Sequence, residues 1–130
     1  MDTIAKRTTH RFGKAVEALE KALALKPLPE NAERDAVLLR FELAAELMPK
    51  VLQRILAERG ADVALPKDVV RSASAASLVS EDEGEVLLAI IDDRNRMVHD
   101  YGEEYASKLL VRVREEYALV LHSVADRMHS

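Results

Sequence analysis

The residues best suited to chemistry in this sequence fall in one short stretch of its last third. Arg94 is followed after four intervening residues by His99, and Tyr101 lies two positions further on. A histidine can accept and donate protons near neutral pH, and an arginine can hold a phosphate by two hydrogen bonds while stabilising its charge. Because the 2′-hydroxyl of RNA is the nucleophile, such a pair suits metal-free RNA cleavage. Asn95, one turn before His99, could orient the imidazole ring, and Arg96 could add positive charge.

The same residues also have a purely structural interpretation. In an unbroken helix the side chains of Arg94 and His99 diverge by about 140°, whereas Tyr101 aligns with Arg94. Arg94 could then pair with a helical carboxylate such as Glu42 or Glu46, and His99 could stabilise a helix C-terminus, where positive charge is favourable. Arg94 and His99 would converge only if the last helical turn loosened or if two copies of the chain faced each other. Spacing alone favours the structural interpretation.

Other kinds of functional site have less support. His10, His122 and His129 are scattered along the sequence, and no histidine–carboxylate cluster has the spacing of metal ligands. Glu42 and Glu46 resemble part of a di-iron bundle site, but the two Glu-x-x-His motifs that complete such a site are missing. No glycine-rich phosphate loop and no Gly-x-Ser-x-Gly motif occurs. We therefore predict neither a metal nor another cofactor.

The composition is that of an ordinary helical globular domain. Of 130 residues, 48% are hydrophobic, 32% are charged and only 4% are aromatic, which favours helices over sheets. We expect residues 1–130 to form one domain. The sequence has no cysteine, no apolar run as long as a membrane span and no signal-peptide pattern, so we expect a cytoplasmic protein without a membrane contact. The net charge of -4 argues against broad nucleic-acid coating but leaves room for a local basic site.

Hydrophobic periodicity predicts an antiparallel bundle of four main helices with a short extra one. Asn31, Ser80 and Asp100 are the candidate N-caps, and Gly60 suits a helix stop. Pro49 lies inside the second helix and is expected to kink it. The first predicted helix ends near residue 25, before two prolines. The other predicted helices span residues 31–59, 66–76, 80–98 and 100–124.

Two apolar patterns bear on how these helices pack. Residues 86–91 are all apolar, so this part of the fourth helix is expected to lie at the centre of the fold or against a second copy. We therefore predict a homodimer. The last helix is predicted to bury a stripe with spacings of three and four. Its members are Ala106, Leu110, Val113, Tyr117, Val120 and Val124.

Three segments of the sequence resemble a known superfamily. Residues 94–101 resemble the Arg-x4-6-His motif of the HEPN superfamily, with its His-x-Tyr extension. Residues 34–47 resemble the second helix of the nucleotidyltransferase substrate-binding branch of that superfamily, and residues 66–71 resemble its short middle helix. The likeness spans roughly residues 12–124, with the segments in the same order and spacing. The branch often carries an aromatic residue where this chain has Pro49.

This resemblance implies a four-helix-bundle homodimer that is encoded beside a minimal nucleotidyltransferase. HEPN members of such pairs are regarded as RNase toxins, and the nucleotidyltransferase is regarded as the antitoxin. By this likeness Arg94 and His99 would be catalytic, and Tyr101 would be the site where the transferase attaches AMP. The expected function is thus metal-independent RNA cleavage, neutralised by adenylylation of Tyr101. An older description of the branch implies the alternative, a non-catalytic substrate-binding subunit of a two-component nucleotidyltransferase.

Overall fold

The protein is an all-α bundle in the computed structural model, which describes residues 3–25, 31–100 and 102–129. These ranges contain no β-strand. The predicted fold class is confirmed. The elements are α1 (Thr3–Leu23), α2 (Ala32–Glu58), α3 (Pro66–Ala75), α4 (Glu81–Met97), α5 (Glu103–Arg112), a π-helical turn (Val113–Tyr117) and α6 (Ala118–His129).

Four long helical segments form the bundle: α1, α2, α4 and the continuous segment from α5 through α6. The short α3 packs against α2 and α4. Side-chain contacts show that α4 runs antiparallel to the last segment. Asp93, near the end of α4, contacts Tyr105 of α5, whereas Glu83, at the start of α4, contacts Arg127 near the end of α6. The two ends of α4 are therefore tied to opposite ends of the same long segment.

The core lies where α2 crosses the other long helices. The rings of Phe41 and Tyr117 stack there with centroids 5.7 Å apart. Removing each large apolar side chain from water stabilises the fold by about 1.5–3 kcal/mol. Among the described residues, the largest fully buried side chains include Phe12, Leu19, Val37, Met48, Leu52, Leu87, Ile90, Leu109 and Leu121.

Two helix boundaries follow the local sequence signals. Gly60 adopts φ +86°, a conformation that suits glycine, and its N–H donates to Ala57 O at 3.0 Å, ending α2 where predicted. The Ser80 hydroxyl accepts from the Glu83 N–H at 3.1 Å, and the Glu83 carboxylate accepts from the Ser80 N–H at 2.8 Å. This reciprocal pair is the predicted capping box. Helix α2 continues across Pro49.

Two other predicted caps have different outcomes. Asn31 is the N-cap residue of α2, as predicted, but it adopts the left-handed conformation, φ 59°, and its side chain makes no capping hydrogen bond. The N-cap of α5 is Gly102, not Asp100. The Asp100 carboxylate instead accepts from the Gly102 N–H at 2.9 Å, a local turn that competes with helix formation and delays the start of α5. Helix α1 ends at Leu23, and the prolines predicted to stop it lie outside the described residues.

The last long helix is not the regular helix that periodicity predicted. Ala106, Leu110 and Val120 are only partly buried. The buried stripe has a spacing of four over most of its length and consists of Tyr105, Leu109, Val113, Tyr117, Leu121 and Val124. A step of four residues turns a regular α-helix by about 400°, so each step drifts by about 40°. The π-helical turn holds more residues per turn and takes up this drift, which keeps the stripe facing the core.

Candidate functional site

Arg94 lies in the last turn of α4 and lines a cleft between α2, α3 and α4. The cleft holds about 240 Å³. Its apolar floor includes Val69 and Ile91, which are both buried. The remaining lining comes from Ala45, Glu46, Pro49, Lys50, Gln53, Ala64, Pro66 and Asn95. Arg94 thus places a guanidinium group beside an apolar surface.

The Arg94 side chain forms no ion pair within residues 3–25, 31–100 and 102–129. Its Nε is buried and has no hydrogen-bond partner among these residues. Neither Glu42 nor Glu46 forms an ion pair with it in the described part of the chain, and Glu46 instead lies 3.5 Å from Lys50. A buried N–H without an acceptor costs about 1–3 kcal/mol, and such groups are rare enough in folded proteins to require an explanation. The structural interpretation of Arg94 as an ion-pair partner of these glutamates is therefore not supported.

His99 lies just beyond α4, in the turn that leads to α5. Its backbone N–H donates to Arg96 O at 2.9 Å, and its side chain is exposed. Within residues 3–25, 31–100 and 102–129 no side-chain hydrogen bond or ion pair of His99 is formed, and it does not line the Arg94 cleft. A single chain therefore brings Arg94 and His99 to the same end of α4 without joining them.

The two supporting residues differ in their surroundings. Asn95 is exposed at the rim of the cleft and makes no hydrogen bond to His99 in the described ranges. Arg96 is engaged by the α4–α5 turn: its Nη2 lies 3.3 Å from Asp100 Oδ2, and its guanidinium carbon lies 4.2 Å from the centre of the Tyr105 ring. Tyr101, the predicted modification site, lies outside the described residues.

Asp93, next to Arg94, is the centre of a hydrogen-bond network that sequence reasoning missed. Arg112 donates to both carboxylate oxygens, at 2.9 and 3.0 Å. Tyr105 donates to Oδ1 at 2.7 Å and Tyr117 donates to Oδ2 at 2.5 Å. The network joins the last turns of α4 to α5 and to the π-helical turn, so it fixes the orientation of the helix end that carries Arg94.

The electrostatics of this network follow from burial and hydrogen bonding. Burial alone would raise the pKa of Asp93, but the hydrogen bonds from Arg112, Tyr117 and Tyr105 outweigh it and hold the pKa below its ordinary value. Burial, followed by the hydrogen bond to Asp93, raises the pKa of Tyr105 and of Tyr117. The network is therefore a carboxylate, a guanidinium and two neutral phenols at neutral pH. The sequence contains one local signal of this network. Asp93 lies near the C-terminal end of a helix, where a carboxylate interacts unfavourably with the helix dipole and needs a cationic partner.

Comparison with known proteins places the chain in a family. Residues 7–130 match the family described as nucleotidyltransferase substrate binding protein like. The chain belongs to this family. A crystal structure of a protein from Thermus thermophilus is 35% identical and superposes with a TM-score of 0.81, covering 92% of this chain and 99% of that one. No curated protein matches the sequence significantly.

Two solved structures with much lower sequence identity have the same fold as this nucleotidyltransferase substrate-binding-like protein. One is a tri-AMPylated HEPN toxin from Shewanella oneidensis, solved with the MNT antitoxin; it is 15% identical, with a TM-score of 0.80 and 98% of each chain covered. Another is a toxin–antitoxin structure with AMP-PNP, 14% identical, with a TM-score of 0.76 and coverage of 98% and 99%. At these identities the likeness establishes the fold, which is HEPN-like.

A second groove in this family member collects residues that are far apart in the sequence. His10, His122 and His129 all line a groove of about 260 Å³ between α1 and α6. Helix α1 runs antiparallel to α6, which brings His10 close to His122 and His129, so the three histidines are far apart only in the sequence. His122 Nδ1 lies 3.1 Å from Glu20 Oε1.

Across the described ranges no group of three or more histidine, cysteine or acidic residues has a geometry that could hold a metal ion. None of the described helices is both long and apolar enough to cross a bilayer.

Proposed function

We propose that the protein is a HEPN-type ribonuclease toxin that cleaves RNA without a metal, with Arg94 and His99 as the catalytic pair. The observation that carries the proposal is that neither side chain has a hydrogen-bond or ion-pair partner in the described part of the chain, although both lie at one helix end. Arg94 keeps a buried Nε without an acceptor, and His99 is exposed without a partner in the described ranges. A phosphate would supply the missing acceptor, and His99 would move the proton of the 2′-hydroxyl.

A homodimer would bring two such helix ends together. The sequence predicts a dimer because residues 86–91 are all apolar. However, the bundle of a single chain already buries Leu87, Ile90 and Ile91 of that run. Exposed apolar side chains nearer the site give a stronger reason. Leu39 is 63% exposed and Val98 is 45% exposed, and both line one groove beside the end of α4. A second copy that covered this groove would remove apolar surface from water and place its own His99 near the first site.

The proposed partner is a minimal nucleotidyltransferase antitoxin. Two observations support it: the family description refers to nucleotidyltransferase substrate binding, and the Shewanella relative with the same fold is AMPylated and bound to its MNT antitoxin. We propose Tyr101 as the acceptor of AMP, because it follows His99 by two residues. The added phosphate would pair with Arg94 or Arg96 and occupy the place of the RNA phosphate.

The family description favours a second candidate function, a non-catalytic subunit that presents substrate to a nucleotidyltransferase. RNA cleavage by the purified protein separates the two. His99→Ala should reduce cleavage by about 10²–10⁴-fold, the range for loss of an acid–base group. Arg94→Ala should reduce it by about 10²–10³-fold, the range for loss of a group that stabilises transition-state charge, and both variants should keep their helical content. Arg11→Ala and His10→Ala are matched controls, because both residues are exposed on α1. Cleavage that survives in both site variants would refute the catalytic role, and an inactive parent that binds nucleotide would favour the subunit.

The role of Tyr101 is tested separately. After incubation with the neighbouring nucleotidyltransferase, ATP and magnesium, the parent should gain the mass of AMP. Tyr101→Phe should gain none at this position and should continue to cleave RNA in the presence of the transferase. If Tyr101→Phe is silenced as completely as the parent, neutralisation acts through binding alone.

A further inference from the structure

Arg34 occupies a position in α2 that local helix stability does not explain. It is the third residue of the helix, and only 9% of its side chain is exposed. A positive charge in the first turn of a helix interacts unfavourably with the helix dipole, and a buried guanidinium needs hydrogen-bond acceptors. An arginine at this place therefore requires a partner from another part of the fold.

That partner is Glu103, the first residue of α5. Arg34 Nη1 donates to Glu103 Oε2 at 3.3 Å, and Arg34 Nη2 donates to Glu103 Oε1 at 3.2 Å. Two parallel hydrogen bonds from a planar guanidinium fix the direction of a carboxylate as well as its distance. Asp35 adds only longer contacts of 3.5 Å to the same guanidinium. The first turns of α2 and α5 are thus joined by two residues that lie 69 positions apart in the sequence.

The α4–α5 turn, which carries His99, lies immediately before this junction and has little packing of its own. Among residues 98–100 and 102–104, no side chain is buried. Their other hydrogen bonds and ion pairs reach only partners within α4, the turn itself and α5. In the described part of the chain, the Arg34–Glu103 pair is therefore their one polar link to another helix. A segment with few buried contacts depends on such links for its conformation.

We propose that Arg34 is a positioning residue, which acts through Glu103 to hold the α4–α5 turn in the conformation that presents His99 to the RNA. Arg34 need not touch the substrate for this role. An arginine suits the role better than a lysine, because a single ammonium group would not fix the direction of the carboxylate. The catalytic consequence rests on the proposed function, since His99 must take part in cleavage for its position to matter.

A purely structural ion pair would have different effects from a positioning pair. Loss of a structural pair would destabilise the bundle as a whole, and cleavage would fall only in proportion to the unfolded fraction. Loss of a positioning pair would loosen the α4–α5 turn and slow the chemical step in a protein that stays folded. Local hydrogen exchange and cleavage kinetics of the same variants therefore separate the two roles.

The first experiment follows amide hydrogen exchange of the full chain by NMR. The amides that report on the turn are the hydrogen-bonded N–H groups of His99, Asp100, Gly102 and Ala106. In Glu103→Ala these amides should exchange about three- to tenfold faster, an effect between the loss of an exposed ion pair and the loss of a hydrogen bond between charged groups. Amides in the middle of α2 should exchange as in the parent.

Glu104→Ala is the matched control for this experiment. Glu104 is also a glutamate in the first turn of α5, but it is 85% exposed and pairs with Lys108 at 3.1 Å, within the same helix. The substitution therefore removes the same charge from the same helix end without breaking the link to α2. Its turn amides should exchange as in the parent.

Cleavage kinetics test the consequence for His99. Glu103→Ala should lower kcat by about 10–10²-fold, because misplacement of a group by about 1 Å can cost about 10²-fold, and KM should stay close to the parent value. Glu103→Gln keeps one acceptor for Arg34, so its kcat should lie between those of the parent and Glu103→Ala. Arg34→Met combined with Glu103→Ala should be no slower than the slower single variant, because both changes remove the same link. If Arg34→Met does not fold, the Glu103 variants decide the question.

Three results would overturn the proposal. The turn amides of Glu103→Ala could exchange like those of Glu104→Ala, its kcat could equal that of a parent that cleaves RNA, or amides throughout the bundle could exchange faster together with those of the turn. Faster exchange of the turn amides alone, in a protein that cleaves no RNA, would refute the ribonuclease and leave Arg34 as the residue that holds the turn.

Discussion

Replacing Asp93 with asparagine should destabilise the fold and disturb the helix end that carries Arg94. The substitution keeps the size of the side chain but removes its negative charge. Asp93 accepts hydrogen bonds from Arg112, Tyr105 and Tyr117, and asparagine has only one side-chain oxygen to accept them. Asp92→Asn is the matched control, because the Asp92 carboxylate is 64% exposed and its one ion pair among the described residues is with Lys67.

The size of the effect follows from the burial of the network. Removing one partner of a buried ion pair costs about 3–5 kcal/mol. The Asp93 side chain is 13% exposed but Arg112 is 38% exposed, so water can solvate the guanidinium after the change. We therefore expect a loss of about 2–3 kcal/mol in the free energy of unfolding for Asp93→Asn. The exposed Asp92 pair should contribute about 0–1 kcal/mol.

Urea denaturation followed by circular dichroism measures both variants against the parent. At pH 7 the midpoint of Asp93→Asn should fall well below that of Asp92→Asn. The lowered pKa of Asp93 sets the pH dependence. A carboxylate with a folded-state pKa below its unfolded value contributes stability above the unfolded value, about 3.9, and loses it as pH falls through the folded value. The difference between parent and Asp93→Asn should therefore shrink below about pH 4.

Two results would refute this reasoning. Equal stability of Asp93→Asn and Asp92→Asn at pH 7 would mean that the network contributes nothing beyond an exposed ion pair. A difference between parent and Asp93→Asn that stays constant down to the lowest accessible pH would mean that the charge of Asp93 is not its source.

Three further predictions concern stability and assembly. The hydrogen bonds from Arg127, followed by those from Ser80 and Ser123, outweigh burial and lower the pKa of Glu83 to about 2. Glu83→Gln should therefore lower the free energy of unfolding by about 1–3 kcal/mol above about pH 4.5, and this difference should disappear as the pH falls towards 2. Acid-unfolding curves that coincide for the two proteins would contradict this prediction. Leu87 is fully buried, so Leu87→Ala should lower the free energy of unfolding by about 2–5 kcal/mol. His99 is exposed, so His99→Ala should change thermal stability little. Similar melting temperatures for these two variants would contradict the burial assignment. The protein should be a dimer by light scattering at low micromolar concentration, and Leu39→Glu should shift it towards monomer; a monomeric parent would remove the shared-site proposal.

The sequence determined the helical class of this protein and most helix boundaries, because those depend on short-range interactions. The capping box at Ser80 and the glycine stop at Gly60 act through bonds between residues at most five positions apart. The buried residues of α2 likewise recur at spacings of three and four that appear directly in the sequence: Leu38, Phe41, Ala45, Met48, Leu52 and Ile55. Asp100 shows the limit of this reasoning, because aspartate stabilises turns as readily as helix starts.

Only the tertiary structure decided which side chains meet at the ends of the helices. The partners of Asp93 lie 12, 19 and 24 residues away in the sequence, and no local period links them. The π-helical turn keeps the buried stripe of the last helix facing the core. In a regular α-helix, a stripe with a spacing of four residues would rotate away from the core. Glu46 lies beside Lys50, and the buried Nε of Arg94 has no acceptor among the residues that the structure describes. Hydrogen-bond satisfaction depends on which long-range neighbours surround a group, and a sequence pattern does not record those neighbours.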